Sequence, residues 1–452
     1  MTLTTRNFGN DFKWGVSTAA YQIEGGYNTH GKGPSIWDVF TNTKGKTWLN
    51  QNGNTACDFY HRYAHDVALM SELCIPNFRF SISWSRLIPG GIGAKNPKGI
   101  DFYNKVIDFC LDLEIEPWVT LYHWDLPHEL EKKGGWANRQ IIDWFSYYVE
   151  FCVKKFGDRV KYWMVLNEPM VFTGAGYFLG VHAPGRRGLN SFLAAAHHAA
   201  LCQAEGGRII RSMQTSAKVG TTLSCSYIEP STQSPNDILA AIRVDALLNR
   251  MFVEPLSGLS YPVNDLKLLR RLEPFIKDGD ETKLAFDMDF VGVQNYTREI
   301  VASSNFTPLI WAKIIKANKR NVETTEMNWE VYPECIYRML HRFNQYNFKE
   351  LIVTENGAAF PDAVIDGQVQ DEKRRIYLEN HIAQVLRAKS EGVNVTGYFV
   401  WSFTDNFEWA EGYKPRFGLV HVDFSTQKRI IKSSGYWYSK VIQASLATAI
   451  AG

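Results

Sequence analysis

Eight short runs with β-strand character, 13–17, 77–82, 117–122, 162–166, 218–223, 290–293, 351–354 and 395–400, alternate with helix-forming sequence along this chain. Strands that are apolar on both faces must be covered on both, the condition of parallel strands roofed by helices. Between the runs, apolar residues recur at helical spacing: Tyr63, Val67, Met70 and Cys74; Phe102, Val106, Phe109 and Leu113; Leu378, Ile382 and Val385. Strand then helix, repeated eight times, predicts an α/β chain closed into a (β/α)8 TIM barrel. Such a barrel takes about 250 residues. Much of the 452-residue chain is therefore left for elaborated loops above the C-terminal face of the strands, the segment 297–328 among them. No Pro-, Ser- or Gly-rich linker and no short repeat divides the sequence, so residues 1–452 read as a single domain.

Composition narrows the class of partner. The 49 basic and 47 acidic residues leave a net charge of +2 with no block of like charge, which argues against nucleic acid and anionic membranes. The seven cysteines are odd in number, scattered and without a C-x-x-C pair, a usage that fits reduced thiols better than a disulfide framework or a zinc site. The first residues lack the apolar core of a signal peptide, and no run of about 18 apolar residues occurs. A cytoplasmic protein is expected. His61, His65 and His197-His198 do not form a convincing ligand set, so neither a metal nor a cofactor is expected. Oligomeric state leaves no signature in the sequence.

On a barrel of this kind the active site is built at the C-terminal ends of the strands. Gln22 and Glu24 follow the first run, the second contains Arg79 and leads to Trp84, and the third ends in His123-Trp124-Asp125. The fourth ends in Asn167-Glu168-Pro169, the sixth in Gln294-Asn295-Tyr296 and the seventh in Glu355-Asn356-Gly357. The eighth ends at Trp401, with Asp405, Glu408 and Trp409 just beyond. Only the fifth, Ser224-Cys225-Ser226, is uninformative. Polar and aromatic groups at seven of eight ends point to one rim that binds a polar ligand with ring faces, as sugars do.

Two of these groups carry chemistry. A glutamate at the end of a buried strand is a costly place for a charge unless it is paired or used. Glu168 and Glu355 occupy two such places, facing each other across the barrel mouth. Paired carboxylates cleave glycosidic bonds: one protonates the leaving oxygen while the other attacks the anomeric carbon or activates water. A nucleophile needs to stay ionised, and Arg79 and Tyr296 are the groups to hold Glu355 so. An ionised Glu355 would in turn raise the Glu168 pKa, which makes Glu168 the acid/base. Around them, His123 alone reads as a satisfied barrel histidine, and beside Trp124 and Asp125 as a ligand for sugar hydroxyls. Asn167 is compatible with a turn cap or with a donor to the sugar 2-hydroxyl. Gln22 is compatible with an ordinary turn. Glu408 lies in a segment, 401–409, too aromatic for a solvated face.

With these residues in place the chain resembles glycoside hydrolase family one, the β-glucosidase family. The resemblance runs through Phe12-Lys13-Trp14-Gly15, Gly31-Lys32-Gly33-Pro34-Ser35-Ile36-Trp37-Asp38, Phe78-Arg79-Phe80-Ser81-Ile82-Ser83-Trp84, Asn167-Glu168-Pro169, Thr354-Glu355-Asn356-Gly357 and Arg416-Phe417-Gly418-Leu419. It implies a cofactor-free retaining mechanism with Glu168 as acid/base, Glu355 as nucleophile, and Tyr296 bonded to the nucleophile. It also implies a glycone site of Gln22, His123, Asn167, Trp401, Glu408 and Trp409 with Phe417 nearby, and a glycoside or oligosaccharide substrate. Trp124, Gln294 and Trp329 are counted among the substrate-binding residues. Gln294-Asn295 stands where the family usually has Asn-Tyr, so the amide at 294 sits on a longer arm. Relatives that cleave thioglycosides lack the acid/base glutamate, and Glu168 is present. Relatives acting on 6-phosphorylated sugars replace the Glu-Trp pair, whereas Glu408-Trp409 is intact and its carboxylate would repel a phosphate. The implied activity is β-glucoside hydrolysis with β-galactoside or β-fucoside side activity. The alternatives are a 6-phospho-β-glycosidase and a sugar-binding protein without turnover.

Overall fold

In the computed structural model, which describes residues 5–446, eight parallel strands close into a barrel. They are β1 (Lys13–Ser17), β2 (Asn77–Ser81), β3 (Glu116–Tyr122), β4 (Tyr162–Asn167), β5 (Lys218–Ser224), β6 (Phe290–Gln294), β7 (Leu351–Asn356) and β8 (Val395–Trp401). Each pairs with its sequence neighbours, and β8 closes on β1 through Lys13↔Gly397 to Ser17↔Trp401. The expected strands are all present. Five of them, β4 to β8, run one or two residues further than their apolar stretches, so Asn167, Ser224, Gln294, Glu355 and Trp401 belong to the strands themselves.

Helices α1 (Phe59–Glu72), α2 (Pro97–Asp112), α3 (Ile141–Phe156), α4 (Leu189–Met213), α5 (Pro235–Asp245), α6 (Met251–Leu256), α7 (Glu334–Asn344), α8 (Glu372–Ser390) and α9 (Ser433–Leu446) follow the strands. Starts are encoded locally. Asn96 accepts a hydrogen bond from the Lys98 N–H with Pro97 in the first turn of α2, and Ser234 does the same for Asp237 with Pro235 in the first turn of α5. The buried face of α2 is Phe102, Tyr103, Val106, Ile107 and Cys110, so the expected Phe109 and Leu113 sit at its margin. Cys74 lies past the end of α1, exposed and at φ 54°, not on its core face. Among the described residues no helix is long and apolar enough to cross a membrane.

One end of the barrel is plugged. Trp118 stacks on Tyr162 with ring centroids 3.8 Å apart, and Met164, Phe290, Ile352 and Phe399 complete a dry layer. Gly220 makes this layer possible: it pairs with Phe290, and a Cβ there would lie 2.4 Å from that ring. Trp118 Nε1 donates to Asn77 Oδ1 at 2.9 Å, and Asn77 Nδ2 donates to the Trp14 carbonyl at 2.7 Å. Trp118→Ala is expected to cost about 3–5 kcal/mol in a urea unfolding transition, from the cavity and the stranded Asn77 amide together.

The segment 297–328, expected as one of the elaborated loops above the barrel, carries strands of its own. Arg298–Ser303 and Ala312–Ile315 form a three-stranded sheet with Tyr227–Pro230, and α5 packs on it around Ile228, Ala241, Val244, Val301 and Ala312. Most side chains of these strands are half-exposed, which blurs the alternation a buried strand would show.

Candidate active site

The open end of the barrel holds a cleft of about 280 Å³. Local backbone irregularities aim the two glutamates into it. Glu168 is the first residue past β4, held at φ 47° with its N–H on the Thr222 carbonyl at 2.9 Å. Trp124 (φ 78°) and Trp409 (φ 48°) share this left-handed conformation, which is uncommon for residues other than glycine. Glu355 lies where the β7 ladder slips against both neighbours, between Val353 and Glu355 on the β6 side and between Val353 and Asn356 on the β8 side. Such a bulge re-aims a side chain. Gly357 follows because a Cβ there would lie 1.8 Å from the Trp401 carbonyl oxygen.

The environments of the two glutamates differ. Arg79, fully buried, donates from Nη1 to Glu355 Oε1, and Tyr296 Oη donates to Glu355 Oε2 at 2.7 Å. Burial raises the Glu355 pKa, while Arg79 and Tyr296 pull it back. Burial also raises Glu168, and the charge of Glu355 adds to it, so that Glu168 stands well above the usual carboxylate range. The neighbouring charge expected to raise Glu168 does so, but burial contributes more. The consequence is the same ordering, with Glu168 the carboxyl that keeps its proton.

A polar platform surrounds the pair. Asn167 Oδ1 accepts from Arg79 Nη2 (2.5 Å), Gln294 Nε2 (2.8 Å) and Thr222 Oγ1 (2.9 Å). Its amide nitrogen is thereby turned to His123 Nε2, 3.0 Å away. His123 is fully buried beside Arg79 and is held neutral, its pKa well below the ordinary value through burial and the guanidinium charge. With Nε2 accepting, its proton sits on Nδ1. Gln22 Nε2 donates to Asn406 Oδ1 (2.9 Å), Phe407 O (3.0 Å) and Glu408 Oε2 (3.2 Å). Burial and the Glu355 charge push Glu408 up to about 8. Three buried polar atoms here, Gln22 Oε1, His123 Nδ1 and Gln294 Oε1, make no hydrogen bond within the protein. Such groups are costly unless a ligand meets them.

Of the residues singled out from sequence, His123, Trp124, Glu168, Tyr296, Trp329, Glu355, Trp401, Glu408, Trp409 and Phe417 line the cleft. Gln22, Arg79, Asn167 and Gln294 lie beneath that lining, bonded to it. Other strand-end groups are not brought to the cleft. Trp84 is buried in the wall, stacked on Tyr148 at 4.5 Å. Glu24 pairs with Arg86 at 2.7 Å. Asp125 is buried against the Ser83 hydroxyl. Asp405 accepts from Lys432 Nζ (2.7 Å), Arg416 Nη1 (2.9 Å) and the Gly418 N–H (3.0 Å), which ties the Glu408-Trp409 loop to the barrel. Conversely Val171, His182, Ser224, Glu299 and Met327 also line the cleft. None of these is singled out by the sequence, Ser224 lying at the one strand end that is uninformative there. A more open groove of about 550 Å³ beside α3 and α4 is bounded by surface charges such as Arg139, Glu205 and Lys283 and has no aromatic wall.

Residues 4–446 match the family model for glycosyl hydrolase family 1. The chain is 44% identical to β-glucosidase A of Thermotoga maritima over 444 residues, 98% of this chain and 99% of that protein. It is 43% identical to a 1,4-β-D-glucan glucohydrolase of Thermotoga neapolitana over 441 residues, 97% and 98% of the two chains. A solved structure of the family 1 β-glucosidase from T. maritima superposes with a TM-score of 0.94 at 42% identity, covering 97% of this chain and 99% of that one. Barrel fold, strand-end chemistry and similarity over nearly the whole chain agree, and the chain belongs to glycosyl hydrolase family 1.

Proposed function

We propose that the chain is a retaining β-glucosidase that removes terminal non-reducing β-D-glucosyl residues, working as one catalytic domain over its whole length. The observation that carries the assignment of roles is that Arg79 and Tyr296 both converge on Glu355, leaving Glu168 the more strongly raised carboxyl. In the first step Glu355 attacks the anomeric carbon as the C–O bond to the leaving group breaks, and the Glu168 proton goes to the departing oxygen. The resulting glucosyl ester neutralises Glu355, so Glu168 loses one cause of its raised pKa. It then takes a proton from water as that water's oxygen bonds to the anomeric carbon and Glu355 leaves as carboxylate. Gln22, His123, Asn167, Gln294 and Glu408 would hold the glucose hydroxyls, with Trp401, Trp409 and Phe417 as walls. Trp124 orders Asn167 through Nε1 on its carbonyl at 2.9 Å, and Trp329 packs against Tyr296 and Phe417 in the cleft wall. Both chemical steps are heterolytic and use only these carboxylates. The Glu408 carboxylate speaks against the 6-phosphoglycoside alternative.

Proton NMR of the first-formed sugar from p-nitrophenyl β-glucoside tests the reading: β-glucose first is expected, and α-glucose first would refute retention. The pH profile of kcat/KM should be bell-shaped, with the acid limb set by Glu355 protonation and the basic limb by loss of the Glu168 proton. Arg79→Met removes the cation that holds the Glu355 pKa down, so the acid limb is expected to move to higher pH, and the basic limb to move the same way because Arg79 also holds Glu168 down.

A further inference from the structure

The fifth strand end, silent in the sequence, places Ser224 beside Glu168. Thr222 and Ser224 are two apart on β5 and therefore face the same way. Thr222 Oγ1 donates to Asn167 Oδ1 at 2.9 Å and its carbonyl accepts from the Glu168 N–H at 2.9 Å. One step further along the same face stands Ser224, which lines the cleft together with Glu168 and whose hydroxyl lowers the pKa of the Glu168 carboxyl. Its strand position is fixed from the other side by pairing with Gln294. Cys225, the next residue, turns away and directs its thiol to the Gln294 carbonyl at 3.4 Å. Arg79 and Tyr296 are engaged on Glu355, which leaves Glu168 to be oriented from β5.

We infer that Ser224 is a positioning residue for the acid/base, its hydroxyl fixing which Glu168 oxygen faces the glycosidic bond and stabilising the carboxylate that the second step needs as a base. The inference rests on the assignment of Glu168 as acid/base. It makes the hydroxyl matter unequally in the two half-reactions. Protonated Glu168 can donate to a leaving group without it. Ionised Glu168 is buried while the guanidinium bonds Glu355, so it gains from an O–H donor of its own. The Ser224 hydroxyl, like the Arg79 charge, offsets part of the burial that raises Glu168.

The test is steady-state kinetics of Ser224→Ala and Ser224→Thr with 2,4-dinitrophenyl β-glucoside, whose leaving group needs no acid, so that breakdown of the glucosyl-enzyme limits kcat. Ser224→Ala is expected to lower kcat about tenfold, the worth of one charge-assisted hydrogen bond. KM should fall in parallel as the intermediate accumulates, azide should restore kcat by replacing base-assisted water, and with cellobiose, whose leaving group needs the acid, the basic limb of kcat/KM should move to higher pH. Ser224→Thr, which keeps the hydroxyl, should stay near wild type in all four. A Ser224→Ala enzyme with wild-type thermal unfolding, unchanged basic limb and no azide effect overturns the inference. Glu168→Ala serves as the control on the underlying reading. If that variant shows azide rescue and Ser224→Ala shows none, only the role of Ser224 fails; if neither does, the acid/base assignment fails first.

Discussion

Glu355→Gln is expected to leave a folded protein whose kcat on p-nitrophenyl β-glucoside is lower by about ten-thousandfold or more, the scale on which loss of a covalent nucleophile acts. The amide is nearly isosteric, so packing around β7 survives. It offers no lone pair reactive enough for the anomeric carbon, and its NH2 would face Arg79 or Tyr296, both of which now donate to carboxylate oxygens. The variant also removes the negative charge that helps raise Glu168 and Glu408. Both pKa values should therefore fall, since less repulsion favours the ionised form. Any residual activity should lose its basic limb at lower pH than wild type. Calorimetric binding of a glucose-like inhibitor should persist. Near wild-type turnover would remove Glu355 from the mechanism, and binding without turnover in the wild-type protein would favour the sugar-binding alternative. The smaller Glu355→Gly opens the face opposite the leaving group, and with azide present a β-aryl glucoside should yield the α-glucosyl azide, the azide displacing the aryloxide with inversion. That product would locate the missing nucleophile on the α face.

What could be read in advance follows from which forces are local. Strands apolar on both faces announce themselves, because each residue of the run is buried; hence all eight barrel strands were legible. Their ends were less so, since Asn167, Gln294 and Glu355 are polar side chains on backbone that is still ladder-paired. Glu24, Asp125 and Asp405 looked like ligands for the same reason that Glu168 did: each is an acid at a strand end. Only their partners sort them, and those lie far off in sequence, Arg86 at 62 residues from Glu24 and Lys432 at 27 from Asp405. The β sheet within 297–328 was hidden because its strands are half-solvated on short runs. Ser224 was hidden because a serine is equally at home in any turn. The Gln294 amide shows the converse. Its longer arm still reaches Asn167 at 2.8 Å and leaves Oε1 free of protein partners, so the departure from the usual family residue keeps a polar atom at the cleft floor.

Glu168→Ala should divide substrates by leaving group, an outcome that a general loss of structure would not produce. With cellobiose, whose departing sugar oxygen must be protonated, kcat/KM is expected to fall by about a hundredfold to ten-thousandfold, the range of general acid–base catalysis. With 2,4-dinitrophenyl β-glucoside the first step needs no proton, so kcat/KM should change little while kcat drops, because the second step has lost its base. The glucosyl-enzyme then accumulates and should be visible as a mass increase on Glu355. Azide, which needs no base to attack, should restore kcat, and its product should be the β-glucosyl azide, since two inversions separate it from substrate. The β product here and the α product from Glu355→Gly would place the two carboxylates on opposite faces of the sugar. The basic limb of kcat/KM should vanish as well, because the group whose ionisation sets it is gone. A uniform loss across leaving groups, with no response to azide, would show that Glu168 acts on binding or folding and would return the acid/base role to another carboxyl of the cleft, with Glu408 the first to test.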